Sequence, residues 1–322
     1  MKVLGIGSYL PREARPSAWF DDRLGVPPGQ VEKLTGVRTR HYCSDDENQI
    51  TMGVAAAARA VEDAGVRPED IDLIIGASAV PYQPIPATAP LYQRGLGIAD
   101  GAAYAFDVNS TCLSFVTALD VCDGLLRSGR YRQALIISSE VASRALPWDE
   151  RPEVAGLFGD GAAAVVVEAG DDPLQTRLRT YPSVYECCGI GAGGTRFDFR
   201  NEAEAFAAHS LFDMNGKDLF RITTKHFVPF VDDLLAQAGW TRDAVDLVVP
   251  HQASPMALAR MIRQCGFAES KVVDICGTVG NQIAASIPYG LCSAKDRLKR
   301  GDKVLLLGTS AGVSFGGAAL VY

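Results

Sequence analysis

Ala64-Gly65-Val66-Arg67-Pro68-Glu69-Asp70-Ile71-Asp72-Leu73-Ile74-Ile75 and Ala238-Gly239-Trp240-Thr241-Arg242-Asp243-Ala244-Val245-Asp246-Leu247-Val248-Val249 align without a gap, 174 residues apart. Each segment leaves an amphipathic helical pattern, turns at a glycine and enters a β-branched run. The helices are expected over about Met52 to Ala64 and Lys217 to Ala238, with each strand reached by a helical crossover. A second echo pairs Leu125-Leu126-Arg127-Ser128-Gly129 with Arg297-Leu298-Lys299-Arg300-Gly301, now 172 residues apart. Two echoes in the same order at so long a period indicate a duplicated α/β unit rather than a solenoid.

The strand runs support that reading. Leu73–Ile75, Leu135–Ile137, Ala163–Val167 and Val304–Leu307 are apolar on both faces, as sheets covered by helices on each side require. The expected division is residues 1–170 and 171–322. Residues 171–212 contain Gly189-Ile190-Gly191-Ala192-Gly193-Gly194 and a polar stretch to Glu204, so they read as an excursion between the halves.

Composition narrows the function classes. The chain has 322 residues, 48% of them hydrophobic and 21% charged, which is ordinary for a globular protein with a sizeable core. A net charge of −7, with no run of clustered Lys and Arg, argues against nucleic-acid binding. The apolar part of Met1–Pro11 is too short for a signal peptide, and no apolar run approaches the roughly 20 residues of a membrane span. A cytoplasmic protein with no membrane association is expected. The eight cysteines lack CxxC spacing and His residues at metal-finger distances, so neither a disulfide framework nor a metal site is expected.

Three strand-end motifs carry the chemistry. They are Asp107-Val108-Asn109-Ser110-Thr111-Cys112, Leu247-Val248-Val249-Pro250-His251-Gln252 and Gly280-Asn281-Gln282-Ile283-Ala284-Ala285-Ser286. Cys112 stands between a strand and a long apolar helix, with Ser110 and Thr111 as N-cap candidates. In a first helical turn, the dipole and free N–H groups would favour the thiolate and lower its pKa. Taken alone, Cys112 is as easily a small buried residue, His251 a satisfied core histidine and Asn281 a turn former. By the repeat, however, His251 falls at the position of Ala77, so one half has an imidazole where the other has a methyl group. A Cys nucleophile with a His and an Asn aimed at one point could form a thioester. The two partners could then donate hydrogen bonds to an enolate, without metal or organic cofactor.

In this ordered set the chain resembles the β-ketoacyl-acyl-carrier-protein synthase III family of thiolase-like condensing enzymes. The resemblance spans nearly the whole chain. It includes Gly5–Pro11, Thr35-Gly36-Val37-Arg38-Thr39-Arg40-His41, Phe158-Gly159-Asp160-Gly161-Ala162, Met214-Asn215-Gly216, Val249-Pro250-His251-Gln252-Ala253 and Gly280-Asn281 with Ala284-Ala285-Ser286. It implies an internally duplicated α/β fold of five αβαβα layers and a homodimer. It also implies that Cys112 takes the acyl group, and that His251 and Asn281 promote decarboxylation and condensation. The oxyanion hole would use the backbone N–H groups of Cys112 and Ala311, and substrate would meet Arg151, Asn215 and Phe220. The donor would be acyl-coenzyme A (CoA) or an acyl carrier protein (ACP) thioester, and the extender malonyl-ACP or malonyl-CoA.

Sister branches fit less well. Thiolases use a second Cys near the C-terminus, and Gly308-Thr309-Ser310-Ala311-Gly312-Val313 has none; chain-elongating synthases have two His where this chain has His251 and Asn281. Hydroxymethylglutaryl synthases place a Glu after an early strand, where this chain has Ala77-Ser78-Ala79. Departures from the family pattern bear on substrate. Gln30-Val31-Glu32-Lys33-Leu34 lacks the Trp and Arg that commonly precede Thr-Gly and frame the adenine of CoA, and Pro81–Pro86 is unusual for the region that shapes the acyl pocket. An acidic enzyme meeting an acidic carrier needs a local basic face. Lys217, Arg221 and Lys225, four residues apart, form such a stripe on one helix, which could also be an ordinary solvated face. The alternative function keeps Cys112 acylation but passes the acyl group to an oxygen, nitrogen or sulfur nucleophile without decarboxylation.

Overall fold

The structure is a computed structural model that describes residues 1–322. In the first half, β1 (Lys2–Tyr9) leads through α1 (Gln49–Ala64) to β2 (Leu73–Gly76), β3 (Tyr104–Asp107), α2 (Ser114–Arg127), β4 (Gln133–Glu140) and β5 (Gly161–Glu168). The second half runs β6 (Gln175–Thr180), α3 (Gly216–Ala238), β7 (Leu247–Pro250), α4 (Pro255–Cys265), α5 (Ser286–Ser293), β8 (Lys303–Ser310) and β9 (Ser314–Val321). The first sheet has the order β1-β5-β4-β2-β3 and the second β7-β8-β9-β6.

The two sheets match pair by pair. β2 runs parallel to β4 as β7 does to β8, while β4–β5 and β8–β9 are antiparallel. Even end contacts recur: Asp72 accepts the Gln133 N–H at 3.1 Å, and Asp246 the Lys303 N–H at 2.8 Å. The place of β3 is reduced in the second sheet to one parallel bridge, Val248 to Val272.

Three hydrophobic clusters define five layers. α1 packs on the outer face of the first sheet through Met52, Ala56, Ala60, Ile74 and Val166. α2 and α5 fill the middle, where Phe115, Leu119, Ile287 and Leu291 meet Ile75 and Val165 from one sheet and Val249 and Leu306 from the other. α3 covers the outer face of the second sheet with Phe230, Val231 and Leu234 against Leu305 and Phe315. Strands sandwiched on both sides are apolar throughout, which is why β2, β4, β5 and β8 carry no alternation.

The expected excursion at 171–212 is corrected at its start. Gln175–Thr180 is β6, the edge strand paired with β9. Its sequence, Gln-Thr-Arg-Leu-Arg-Thr, hides this because an edge strand keeps polar side chains; Arg177 pairs with Asp233 of α3. The true excursion lies beyond β6. Its base is a two-residue pairing of Cys188–Gly189 with Asp213–Met214.

Candidate active site

Cys112 does not open the long helix. It sits in a 3-10 turn, Thr111–Leu113, and α2 begins at Ser114. The expected caps are also corrected: neither Ser110 nor Thr111 makes a side-chain cap. The Asn109 carboxamide oxygen accepts the Thr111 N–H at 2.9 Å, and the Ser114 hydroxyl accepts the Ser110 N–H at 2.9 Å. Thr111 lies at φ +53°, a left-handed conformation costing roughly 1–2 kcal/mol for a residue with a Cβ. That turn sets Cys112 at the strand–helix junction, half-buried.

The thiol also differs from expectation. Burial, with Glu140 adding to it, pushes Cys112 up to about 12. The backbone N–H groups of Cys112 and Ala311 act the other way, favouring the thiolate. A neutral thiol in the resting protein follows, because removal from water outweighs the turn's N–H donors. The same two N–H groups are the pair that the resemblance assigns to the oxyanion hole.

His251 follows β7, its N–H donating to the Leu307 carbonyl at 2.7 Å. Gln252 locks this corner: its amide donates to Pro250 O and Val273 O at 2.9 and 3.0 Å and accepts the Ile275 N–H at 3.0 Å. The imidazole is buried, its Nδ1 has no hydrogen-bond partner, and burial lowers its pKa to about 4. The ring is therefore neutral at pH 7. The Cys112 turn and His251 meet at Gly308 of β8, where an added Cβ would lie 3.0 Å from Leu113 and 3.1 Å from His251.

Asn281 sits in the pseudo-twofold copy of the Cys112 turn. Its carboxamide oxygen accepts the Ile283 N–H at 2.9 Å, Ser286 accepts the Gln282 N–H at 3.1 Å, and Ile283 is at φ +51°. Asn109 donates to Ala79 O at 2.7 Å; Asn281 donates to Ala253 O at a longer 3.3 Å. The repeat thus pairs Asn109 with Asn281 and Cys112 with Ala284, and the two turns pack against each other. Asn281 is fixed from the other side by the Phe158-Gly159 loop, with its N–H on Leu157 O at 2.7 Å and its carbonyl accepting the Gly159 N–H at 3.1 Å. Gly280, at φ +72°, permits this: a Cβ there would stand 2.8 Å from Leu157 O.

The remaining expected residues fall at a second location. Arg151, Asp213, Met214, Asn215, Gly216 and Lys217 line an open cavity of about 600 Å³. Arg151 is held by Glu153, Asp213 and the Met214 carbonyl at 2.7, 3.1 and 3.3 Å. The Asn215 side chain is occupied in capping α3, accepting the Lys217 and Asp218 N–H groups and donating to Asp218. Phe220 lies outside this lining, 59% exposed, with the Arg260 guanidinium 3.6 Å from its ring centre. Lys217, Arg221 and Lys225 are all exposed along α3, and Arg221 pairs with Asp218 at 3.1 Å.

Two residues escaped the sequence reading: Asn109 and the buried Glu140. The first was readable, since Asn109 to Ser114 and Asn281 to Ser286 share both end residues at the repeat's own spacing. Glu140 closes an apolar strand and gave no sign of its burial.

Comparison with known proteins agrees with this architecture. Residues 106–182 match the model of 3-oxoacyl-[acyl-carrier-protein] synthase III, and residues 235–322 that of its C-terminal region. A β-ketoacyl-[acyl-carrier-protein] synthase III from Bradyrhizobium diazoefficiens is 36% identical, over 98% of this chain and 97% of its own. The corresponding protein of Neisseria gonorrhoeae is 32% identical over 100% and 99%. The crystal structure of 3-oxoacyl-[acyl-carrier-protein] synthase III from Aquifex aeolicus superposes with a TM-score of 0.88 at 31% identity, covering 100% and 99% of the two chains. A duplicated five-layer α/β sandwich with a Cys at a strand–helix turn defines a thiolase-like condensing enzyme. Within that class, the chain belongs to the β-ketoacyl-acyl-carrier-protein synthase III family of acyltransferases.

Proposed function

We propose that Cys112 takes an acyl group from an acyl thioester and that this group is then condensed with a malonyl thioester. In the first step the Cys112 sulfur bonds to the acyl carbon, the donor's C–S bond breaks and the donor leaves as a thiol. In the second, malonyl carboxylate departs as carbon dioxide, leaving an enolate at the adjacent carbon. The enolate attacks the Cys112 thioester, a C–C bond forms, and the sulfur is released and reprotonated. His251, neutral and able to donate from Nε2, and Asn281, donating from Nδ2, stabilise the enolate oxygen. The N–H groups of Cys112 and Ala311 receive the tetrahedral oxyanion.

The observation that carries this reading is that the Cys112 turn packs against the Asn281 turn and meets His251, with its buried neutral imidazole, at Gly308. The further assignments are proposals as well. CoA or carrier protein delivers the acyl group, Arg151 at the mouth of the 600 Å³ cavity meets its phosphates, and Phe220 lines the approach. Asn215 contributes backbone rather than side chain. The carrier docks on Lys217, Arg221 and Lys225, the halves divide near residue 170, and the enzyme works in the cytoplasm as a homodimer.

Intact-mass measurement after exposure to acyl-CoA and acyl-carrier donors tests the first step. The wild type should gain one acyl group and Cys112→Ala none. Release of carbon dioxide from a malonyl carrier, absent in His251→Ala and Asn281→Ala while both still acylate, tests the second. Acyl transfer to an added alcohol or amine without that release would instead favour simple acyl transfer.

A further inference from the structure

The two turns of the duplication are built alike but held differently. In both, an Asn side chain accepts an N–H within its own turn and donates its amide to a carbonyl of a neighbouring loop, Ala79 after β2 or Ala253 after β7. At Asn109 this second bond is 2.7 Å, and at Asn281 it is 3.3 Å. The difference lies one step further back. Glu140, the last residue of β4, is fully buried, and its Oε1 accepts the Ala79 N–H at 2.6 Å. The strand registers place Ser310 at the same point of β8, where its hydroxyl turns to the Ala311 carbonyl at 3.1 Å. In the first half, an unbroken run of hydrogen bonds therefore leads from Glu140 to Ala79, from Ala79 to Asn109, and from Asn109 to the Thr111 N–H at 2.9 Å. It ends one residue before the nucleophile. In the second half the run begins only at Ala253.

We propose that Glu140 is a positioning residue for acylation: by fixing Ala79 it locks Asn109 and so the turn that carries Cys112, whereas Ser310 leaves the Asn281 amide free to turn to substrate. The inference rests on the acylation of Cys112 proposed above. Packing alone does not explain Glu140. Its Oε2 has no hydrogen-bond partner, and burying a half-satisfied carboxyl costs stability that a serine, as in β8, would not. Burial pushes its pKa up to about 8, so at pH 7 it is a neutral acid. It serves as an acceptor for one N–H rather than as a charge, and a glutamine can supply the same oxygen.

Glu140→Ala tests it, with Glu140→Gln as the conservative variant and two rates read separately. One is single-turnover acylation of Cys112 by intact mass; the other is carbon dioxide release from a malonyl carrier by enzyme already acylated. Glu140→Ala should slow acylation by roughly 10-fold or more, within the ~100-fold that a misplacement of about 1 Å can cost, and leave carbon dioxide release within about 2-fold. Glu140→Gln, which still offers an oxygen to Ala79, should acylate within about 3-fold of wild type. Adding Asn109→Ala to Glu140→Ala should slow acylation little further, because both act through one path; independent effects would multiply. In wild type, hydrogen exchange should find the Ala79 amide protected by about 10-fold or more over the Ala253 amide. Glu140→Leu, which refills the volume without an acceptor, takes the place of Glu140→Ala where the latter does not fold. If neither folds, the exchange comparison decides alone. Wild-type acylation by folded Glu140→Ala or Glu140→Leu overturns the proposal. So do equal losses at both steps, Glu140→Gln as slow as Glu140→Ala, multiplied losses in the double variant, or an Ala79 amide that exchanges as fast as that of Ala253. Failure of wild type to acylate at Cys112 would instead sink the underlying reading.

Discussion

His251 owes its reactivity to being kept from a proton. Its pKa is lowered to about 4 by burial, against 6.5 in the unfolded chain, so between those values the unfolded state binds the proton that the folded state refuses. Stability should therefore be full above pH 6.5 and fall as pH drops towards 4, by about 3 kcal/mol from this group. Urea unfolding at pH 7 and pH 4.5 measures it, with His251→Gln showing a shallower decline. The two asparagines make a paired prediction. Asn281→Ala and Asn109→Ala each orphan a turn N–H, at about 1–3 kcal/mol. The functional losses should separate: Asn109→Ala slows acylation by distorting the Cys112 turn, and Asn281→Ala spares acylation but loses condensation by ~100-fold or more. Single-turnover acylation and carbon dioxide release distinguish them; identical profiles would contradict the division of labour. Cys112 and His251 were legible as chemistry because each follows an apolar strand with a reactive group; Asn281, expected at a strand end as well, instead follows a one-turn helix, Cys276–Val279, and Gly280. The state of the Cys112 thiol was not legible, because helix-end electrostatics can be guessed from order along the chain whereas burial depends on what the second half brings over it.

At the scale of elements, the strand–helix turn is the working part. It combines a left-handed β-branched residue, an Asn two residues before it accepting its N–H, and a Ser closing the first helical turn. β8 passes beside it with no side chain at Gly308, the gap into which Leu113 and His251 both press. Gly308→Ala should destabilise by roughly 1–3 kcal/mol, the usual cost of overpacking. It should also lower acylation and condensation together, since it displaces both groups. Thermal melts and the two activity assays check this. Helices and inner strands were readable from periodicity and apolar runs, and so was the duplication. β6 was missed for a physical reason: an edge strand half-covered by one helix follows its neighbours and carries no hydrophobic signature of its own. The turn was misread as a simple capped helix because its geometry is set by Asn109 and Ser114, residues before and after the expected caps.

The whole molecule buries its reacting centre where α2 and α5 begin, between two sheets, while the first sheet ends in an unpaired edge at β3. Tyr104 on that edge is 59% exposed and packs against Phe106. An uncovered apolar edge favours strand addition by a second copy, which supports the proposed homodimer. Tyr104→Arg should shift sedimentation towards monomer, and a monomeric wild type at micromolar concentration would remove that reading. Carrier docking belongs to this scale too. Replacing Arg221 and Lys225, which lie outside the cavity lining, with Glu should raise KM for a carrier-bound extender by about 10-fold or more and flatten its salt dependence, leaving KM for the CoA thioester little changed. Steady-state kinetics over a range of ionic strength would show it.

The duplicated turns also give the protein something experiments rarely supply, a reference inside the same chain. The turn at Ile283 has the strain, the Asn and Ser contacts and the helix of the turn at Thr111, yet its central residue is Ala284, which cannot react. What such a corner costs a fold to maintain can be read at one site, and what it does to a sulfur at the other. A thiol introduced by Ala284→Cys would share the backbone of Cys112 but have Ala77 where Cys112 has His251. Its inertness or reactivity would say how much of a nucleophile is made by shape and how much by company.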